Sequence, residues 1–319
     1  MKNILITGIS GFAGSFLSEY LVLQNKGRIT GTYLEEQSLK NVEKIKTRIN
    51  LFKLNLTNEK KVLNIVKEVK PDFIFHLAAL TSPKTSFDNP FKTIQNNVEA
   101  QLNLLEAVRK LDLLNTRILI ASSAEVYGIV EKKDLPIDED TKLMPASPYA
   151  VSKITQDFLA LQYFLSYNIK IIRIRPFNHI GPRQSPNFVV SAFAKKIAEI
   201  EKSKTDNILY VGNLDSKRDF TDVRDMVEAY SLVVEKCRWG EVYNIGSGKS
   251  YTISEILDKM LSLSKTKIKV RADESLLRPS DNPDLICDRS KFTNRTGWEP
   301  KIPIDKTLKD TLDYWRNII

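Results

Sequence analysis

The stretch Thr7-Gly8-Ile9-Ser10-Gly11-Phe12-Ala13-Gly14 constrains this chain more than any other. A β-branched apolar run, Asn3–Ile6, leads into it, and a segment with helical apolar spacing (Phe16, Leu17, Tyr20, Leu21) follows. Glycines at such a strand-to-helix junction permit a tight turn, close backbone approach to a pyrophosphate, and packing of helix on strand. The helix N-terminus attracts the anion. Gly8, Gly11, Phe12 and Gly14 are therefore expected to hold a dinucleotide.

Further strands are predicted at Arg28–Tyr33, Ile49–Leu54, Phe73–Leu77, Arg117–Ser122 and Lys170–Arg175, with helices between them. Right-handed crossovers between such strands build an α/β fold with a Rossmann-type, doubly wound parallel sheet. Beyond Pro176 the pattern breaks into short pieces punctuated by Pro182, Pro186, Pro279, Pro283, Pro300 and Pro303. This predicts a smaller, interwoven C-terminal lobe that binds substrate. The expected division is a dinucleotide-binding domain over 1–176, with returning segments near 206–235, and a substrate-binding lobe over 177–205 and 236–319. A chain of 319 residues, 42% of them hydrophobic, can fill such a core without staples.

Several classes of function are disfavoured. Cys237 and Cys287 are far apart, with no CxxC spacing and no Cys/His cluster, so neither a disulfide framework nor a metal site is expected. MKNILITG runs as a strand straight into the glycine turn and leaves no room for an export signal, so a reducing cytoplasm is the expected location. No apolar run approaches the ~20 residues of a spanning helix. The net charge of +9 is spread over lysines scattered among acids, which argues against nucleic acid and leaves attraction for small anions.

After the second strand, Glu35 can accept hydrogen bonds from a ribose 2′-hydroxyl and would repel a 2′-phosphate, so NAD(H) is favoured and NADP(H) is the alternative. Asn55 and Leu56 follow the third strand, at the expected adenine end. Leu77, Ala78 and Ala79 end the fourth strand with space for the cofactor to cross, while His76 is expected to be structural. Tyr149 and Lys153 stand at i, i+4 on a helix that begins at Pro148, and so share a face. An ammonium beside a phenol would lower the phenol's pKa toward working pH, which suits a general acid/base. Ser123, at the end of the fifth strand, can hydrogen-bond the oxygen whose proton Tyr149 moves.

The motifs TGISGFAG, HLAA, SSAEVYG, YAVSK and RPFNHIGPRQ, in this order, resemble those of extended short-chain dehydrogenases/reductases that modify nucleotide sugars. The second half is most similar to the GDP-4-keto-6-deoxy-D-mannose reductases and GDP-mannose 4,6-dehydratases. The resemblance implies Ser123, Tyr149 and Lys153 as the catalytic set, with Tyr149 and Lys153 also touching the cofactor. It implies Thr81, Asn178, Asn187, Val189, Lys195, Arg218 and Arg278 around a nucleotide-sugar substrate, GDP-linked. Homodimers pairing two helices per subunit are usual in the family, and Asn97–Lys110 and Pro148–Phe164 are the candidate segments.

Two reactions remain. A reductase passes a hydride to the C4 ketone while Tyr149 protonates the alkoxide. A 4,6-dehydratase also needs a carboxylate for the C5 proton, and Glu125 matches that register. The GFAG turn, the short chain and Ala124, which rules out an acidic pair, favour the reductase. A cofactor-sensing protein without chemistry is the remote third reading, one that would not need Ser123, Tyr149 and Lys153 together.

Overall fold

The computed structural model describes residues 1–203, 207–277 and 283–319. Its first half runs β1 (Asn3–Thr7), α1 (Phe12–Leu23), β2 (Arg28–Tyr33), β3 (Asn50–Lys53), α2 (Glu59–Val69), β4 (Phe73–His76), α3 (Pro83–Asp88), α4 (Pro90–Lys110), β5 (Arg117–Ala121), α5 (Pro148–Tyr167) and β6 (Ile171–Pro176). The second half runs β7 (Asn178–Ile180), α6 (Val189–Ser203), β8 (Ile208–Val211), β9 (Lys217–Asp222), α7 (Val223–Lys236), β10 (Val242–Ile245), β11 (Ser250–Thr252), α8 (Ile253–Ser262), β12 (Lys269–Ala272), β13 (Asp284–Leu285), α9 (Ser290–Thr296) and α10 (Ile304–Ile318).

Seven strands form one parallel sheet in the order β10-β6-β5-β4-β1-β2-β3. Its apolar strands are covered on both faces, as parallel sheets require. One cluster joins Ile4, Ile6, Leu17, Val223, Met226 and Tyr230. The other joins Leu5, Ile74, Leu104, Ile118, Ala160 and Ile171. The strand order reverses at β1 and β4, so the crevice beyond their carboxyl ends is where a ligand of such a sheet binds. The crossover from β2 to β3 departs from the expected helix: Glu36–Arg48 winds as 3₁₀ turns. Within it only Val42 and Ile45 are buried, too little apolar surface to hold an α-helix on the sheet.

Strand β6 is buried along its whole length yet carries Arg173 and Arg175. Both guanidiniums are closed by Asp157 of α5, at 2.7 and 2.9 Å. Arg175 also donates to the Tyr127 hydroxyl, which donates to Asn244 of β10. The network fixes α5 against the sheet and against the turn Ala124–Tyr127.

The smaller lobe holds a sheet of β7, β9, β11 and β13, a parallel ribbon of β8 with β12, and helices α6, α8 and α10 around Val190, Ile197, Ile256, Leu308 and Leu312. The expected boundaries need correction. Strands β8 and β9, expected in a segment returning to the large lobe, pack in the small one, and β10, expected in the small lobe, joins the large sheet. Phe292 of α9 and Trp298 also pack in the large lobe. Between β9 and β10, α7 packs in the large lobe, where Val223, Met226, Val227 and Tyr230 are buried in the cluster that contains Leu17 and Leu21 of α1. No helix among the described residues is long and apolar enough to cross a membrane.

Candidate active site

The glycine turn is built as an anion cradle. Gly8 has φ +70°, and a Cβ there would come within 3.0 Å of the Ala78 backbone. A Cβ on Gly14 would meet the Gly8 carbonyl oxygen at 2.2 Å. Gly11 caps α1 without a side-chain hydrogen bond, and the first turn carries no acid. The helix therefore presents free N–H groups to the crevice. Thr7 ties the turn to β4: its hydroxyl bonds His76 Nδ1 at 2.9 Å and accepts from Leu77 N and Ala78 N. Burial pushes His76 down to about 3, so the ring is neutral, and it stands behind the cavity wall rather than in it.

A cavity of about 430 Å³ opens at this turn. Gly8, Gly11, Phe12, Gly14, Leu77, Ala78, Ala79 and Thr81 line it, together with Ser123, Glu125, Tyr149, Lys153 and Asn178. A second cavity of about 540 Å³ adjoins it in the small lobe. Glu125, Asn178, His179, Gln184, Phe188 and Pro83 belong to both walls. Asn187, Val189 and Arg218 line the second cavity. A cradle closed to a Cβ at Gly8 and Gly14, free helix N–H groups, and a cleft running on to a tyrosine-lysine pair together fit a nicotinamide dinucleotide.

Helix α5 starts at Pro148 with Ser147 as its cap, whose hydroxyl accepts from Ala150 N. This start places Tyr149 in the first turn, where its N–H donates to Ser86 Oγ. Ser123 hydrogen-bonds the Tyr149 phenol and accepts from Glu125 N at 3.2 Å. Lys153 Nζ donates to the Ala121 carbonyl at 2.8 Å and lies 6.0 Å from the centroid of the Tyr149 ring. Burial raises the phenol's pKa; Ser123 partly offsets this, and the Glu125 charge adds to it. Burial also pushes Lys153 down to about 7. The expected lowering of the phenol is thus corrected. With its ammonium turned to Ala121 and only part-charged near neutral pH, Lys153 does not outweigh the loss of water around Tyr149.

Other expected residues fall elsewhere. Lys195 points away from the second cavity, toward Glu199 and the Trp315 ring, and Lys196, one position on along α6, takes the cavity wall. Glu35 is exposed beyond β2, Asn55 turns its side chain back to Thr57 N, and Leu56 is buried in the core. None of the three lines either cavity. Arg278 lies outside the described residues. His179 stacks on Phe12 with centroids 5.7 Å apart and planes 2° apart, a packing role. Sequence reading missed Arg183 in the first cavity, and Lys84 and Lys196 in the second. The segment GPRQ was in view; that its arginine reaches α1 was not readable from spacing.

Comparison with known proteins agrees with this geometry. The family model described as GDP-mannose 4,6 dehydratase matches residues 5–311. The GDP-6-deoxy-D-mannose reductase of Pseudomonas aeruginosa is 31% identical over 99% of this chain and 98% of its own. The GDP-mannose 4,6-dehydratase of Yersinia enterocolitica is 29% identical over 96% and 91%. Among solved structures, RMD from Pseudomonas aeruginosa complexed with NADPH superposes with a TM-score of 0.86 at 30% identity, covering 100% of both chains. Likeness of that extent, in sequence and in fold alike, makes this chain a member of the GDP-mannose 4,6-dehydratase family within the extended short-chain dehydrogenases/reductases.

Proposed function

We propose that the chain is a nucleotide-sugar oxidoreductase that reduces the C4 ketone of a GDP-4-keto-6-deoxyhexose. The observation that carries this reading is the single cleft in which the glycine cradle, Ser123, Tyr149 and Lys153 meet a second cavity holding Arg218. Gly8, Gly11, Phe12, Gly14, Ala78 and Lys153 would hold the nicotinamide cofactor, which supplies a hydride when bound. Tyr149 gives its proton to O4 as that oxygen becomes an alkoxide. A phenol kept protonated by burial is in the correct state for this step. Ser123 holds the same oxygen in line, and Lys153, poised near neutrality, returns a proton toward Tyr149. Arg218 offers a planar fork to the diphosphate of the substrate. Glu35 lies outside the two cavities, but its charge just past β2 would repel a ribose 2′-phosphate, so NAD(H) is proposed over NADP(H), tested by the ratio of the two dissociation constants. The two buried thiols, Cys237 and Cys287, suit the cytoplasm. Exposed Phe91, Phe158 and Leu165 on α4 and α5 suit a homodimer, checked by sedimentation.

A second reading, GDP-mannose 4,6-dehydratase, is favoured by one observation: Glu125 stands in both cavity walls, next to Ser123. There a carboxylate could take the C5 proton while the C6 hydroxyl leaves as water. Mass spectrometry separates the two. GDP-mannose incubated with protein and no added reduced cofactor should keep its mass, and the 4-keto-6-deoxy sugar should gain two hydrogens when NADH or NADPH is supplied. Loss of water from GDP-mannose overturns the reductase reading. Glu125→Gln should then abolish that loss, whereas a reductase would keep its rate within about tenfold.

A further inference from the structure

Among the described residues lining the first cavity, the basic side chains that can carry charge at neutral pH are Lys153 and Arg183, since burial holds His179 below its usual pKa. Lys153 is committed to Ala121 at the chemical end. Arg183 is the other, and its backbone has φ +71°. That left-handed region suits glycine and strains a side chain. What the arginine gains is a place on α1. Its Nη2 donates to Glu19 at 2.8 Å and its Nη1 to Ser15 Oγ at 3.3 Å, and the guanidinium lies 4.5 Å from the Phe16 ring centroid. The Ser15 N–H donates to the Gly11 carbonyl, so the guanidinium stands one turn from the free N–H groups of the glycine cradle. A guanidinium has five N–H donors, and these contacts leave some of them for an anion.

We propose that Arg183 is a ligand of the dinucleotide's diphosphate: a fixed positive charge supplied by the small lobe to an anion otherwise held by backbone N–H groups. The inference rests on the cofactor reading above. It also couples the lobes, because the segment that carries Arg183 docks on α1 and then enters α6, which lines the substrate cavity through Val189, Ala192 and Lys196.

The test is NADH and NADPH binding to the full chain, by calorimetry. Arg183→Gly removes the charge at a backbone position that glycine occupies without strain. It should bind at least about tenfold more weakly, as expected for a lost charge-assisted hydrogen bond, with an unchanged or raised melting temperature. Arg183→Asn, which also tolerates left-handed backbone, should show the same loss. Glu19→Ala breaks the ion pair and keeps the guanidinium, so its affinity should be equal or tighter. Equal losses in the Arg183 and Glu19 variants would make Arg183 a structural strap and overturn the proposal. So would an Arg183→Gly affinity within twofold of the parent. Failure of the parent itself to bind either nucleotide overturns the cofactor reading, and this inference with it.

Discussion

The N-terminal half of α5 buries ionisable groups in two opposite ways. At its start, Tyr149 and Lys153 are sunk into the cavity wall without an opposite charge, and burial displaces both pKa values, up for the phenol and down to about 7 for the amine. Two turns further on, Asp157 is equally buried but is shared by Arg173 and Arg175. The contrast assigns roles. Charges that a fold needs for itself are closed by partners, whereas groups that must exchange protons with a ligand are left without them, at a cost in stability.

Three experiments can break or sharpen that contrast. The largest effect belongs to Tyr149→Phe, which should cut turnover by a factor of about 10²–10⁴ while leaving cofactor affinity and melting temperature near the parent's. An unchanged rate would sink the proposed mechanism and favour a binding protein. Asp157→Ala should do the reverse. Two buried guanidiniums lose their partner, so urea unfolding should show about 3–5 kcal/mol less stability, with kcat of the folded protein within a few-fold of normal. Comparable stability with a collapsed kcat would show that Asp157 belongs to the chemistry after all.

The smallest effect is a slope. The Lys153 amine titrates near 7 in the fold and about 10.4 in an unfolded chain, so between these values the unfolded state binds more protons. Stability of the cofactor-free protein should therefore rise from pH 7 toward pH 9.5, by at most about 1.4 kcal/mol per pH unit from this one group. Lys153→Met should flatten the curve, and identical slopes in parent and variant would remove the case for a buried, shifted amine.

Much of this molecule can be read from its sequence, because the parallel strands announce themselves as apolar runs and the glycine turn has few other uses. Tyr149, Lys153 and Ser123 were readable for the same reason: spacing and strand ends place them. The resting state of the phenol was not, since i, i+4 spacing says two groups share a face but not that Lys153 turns to the Ala121 carbonyl. Lys195 was one residue from the cavity-lining Lys196, the error to which a helical face is most sensitive, at about 100° per residue. Arg173 and Arg175 did leave a signal: two cations, two residues apart in an otherwise apolar strand, require a buried acid nearby. The lobe boundaries were hidden because β8, β9 and β10 are short strands, and sequence alone does not say which sheet each one joins.

The sheet's edge at β6 is covered by β10, a strand that arrives from residues 242–245, after the chain has already built much of the small lobe. During synthesis, therefore, the N-terminal half emerges from the ribosome with β6 carrying an unpaired row of backbone groups, and with the α1 face that α7 will cover still wet. A fragment ending near residue 176 is a truncated sheet with a sticky rim, not an autonomous nucleotide-binding module. Engineering that swaps lobes between relatives has to exchange interleaved segments together, and a nick in the 247–249 loop would leave both pieces of chain holding parts of both lobes.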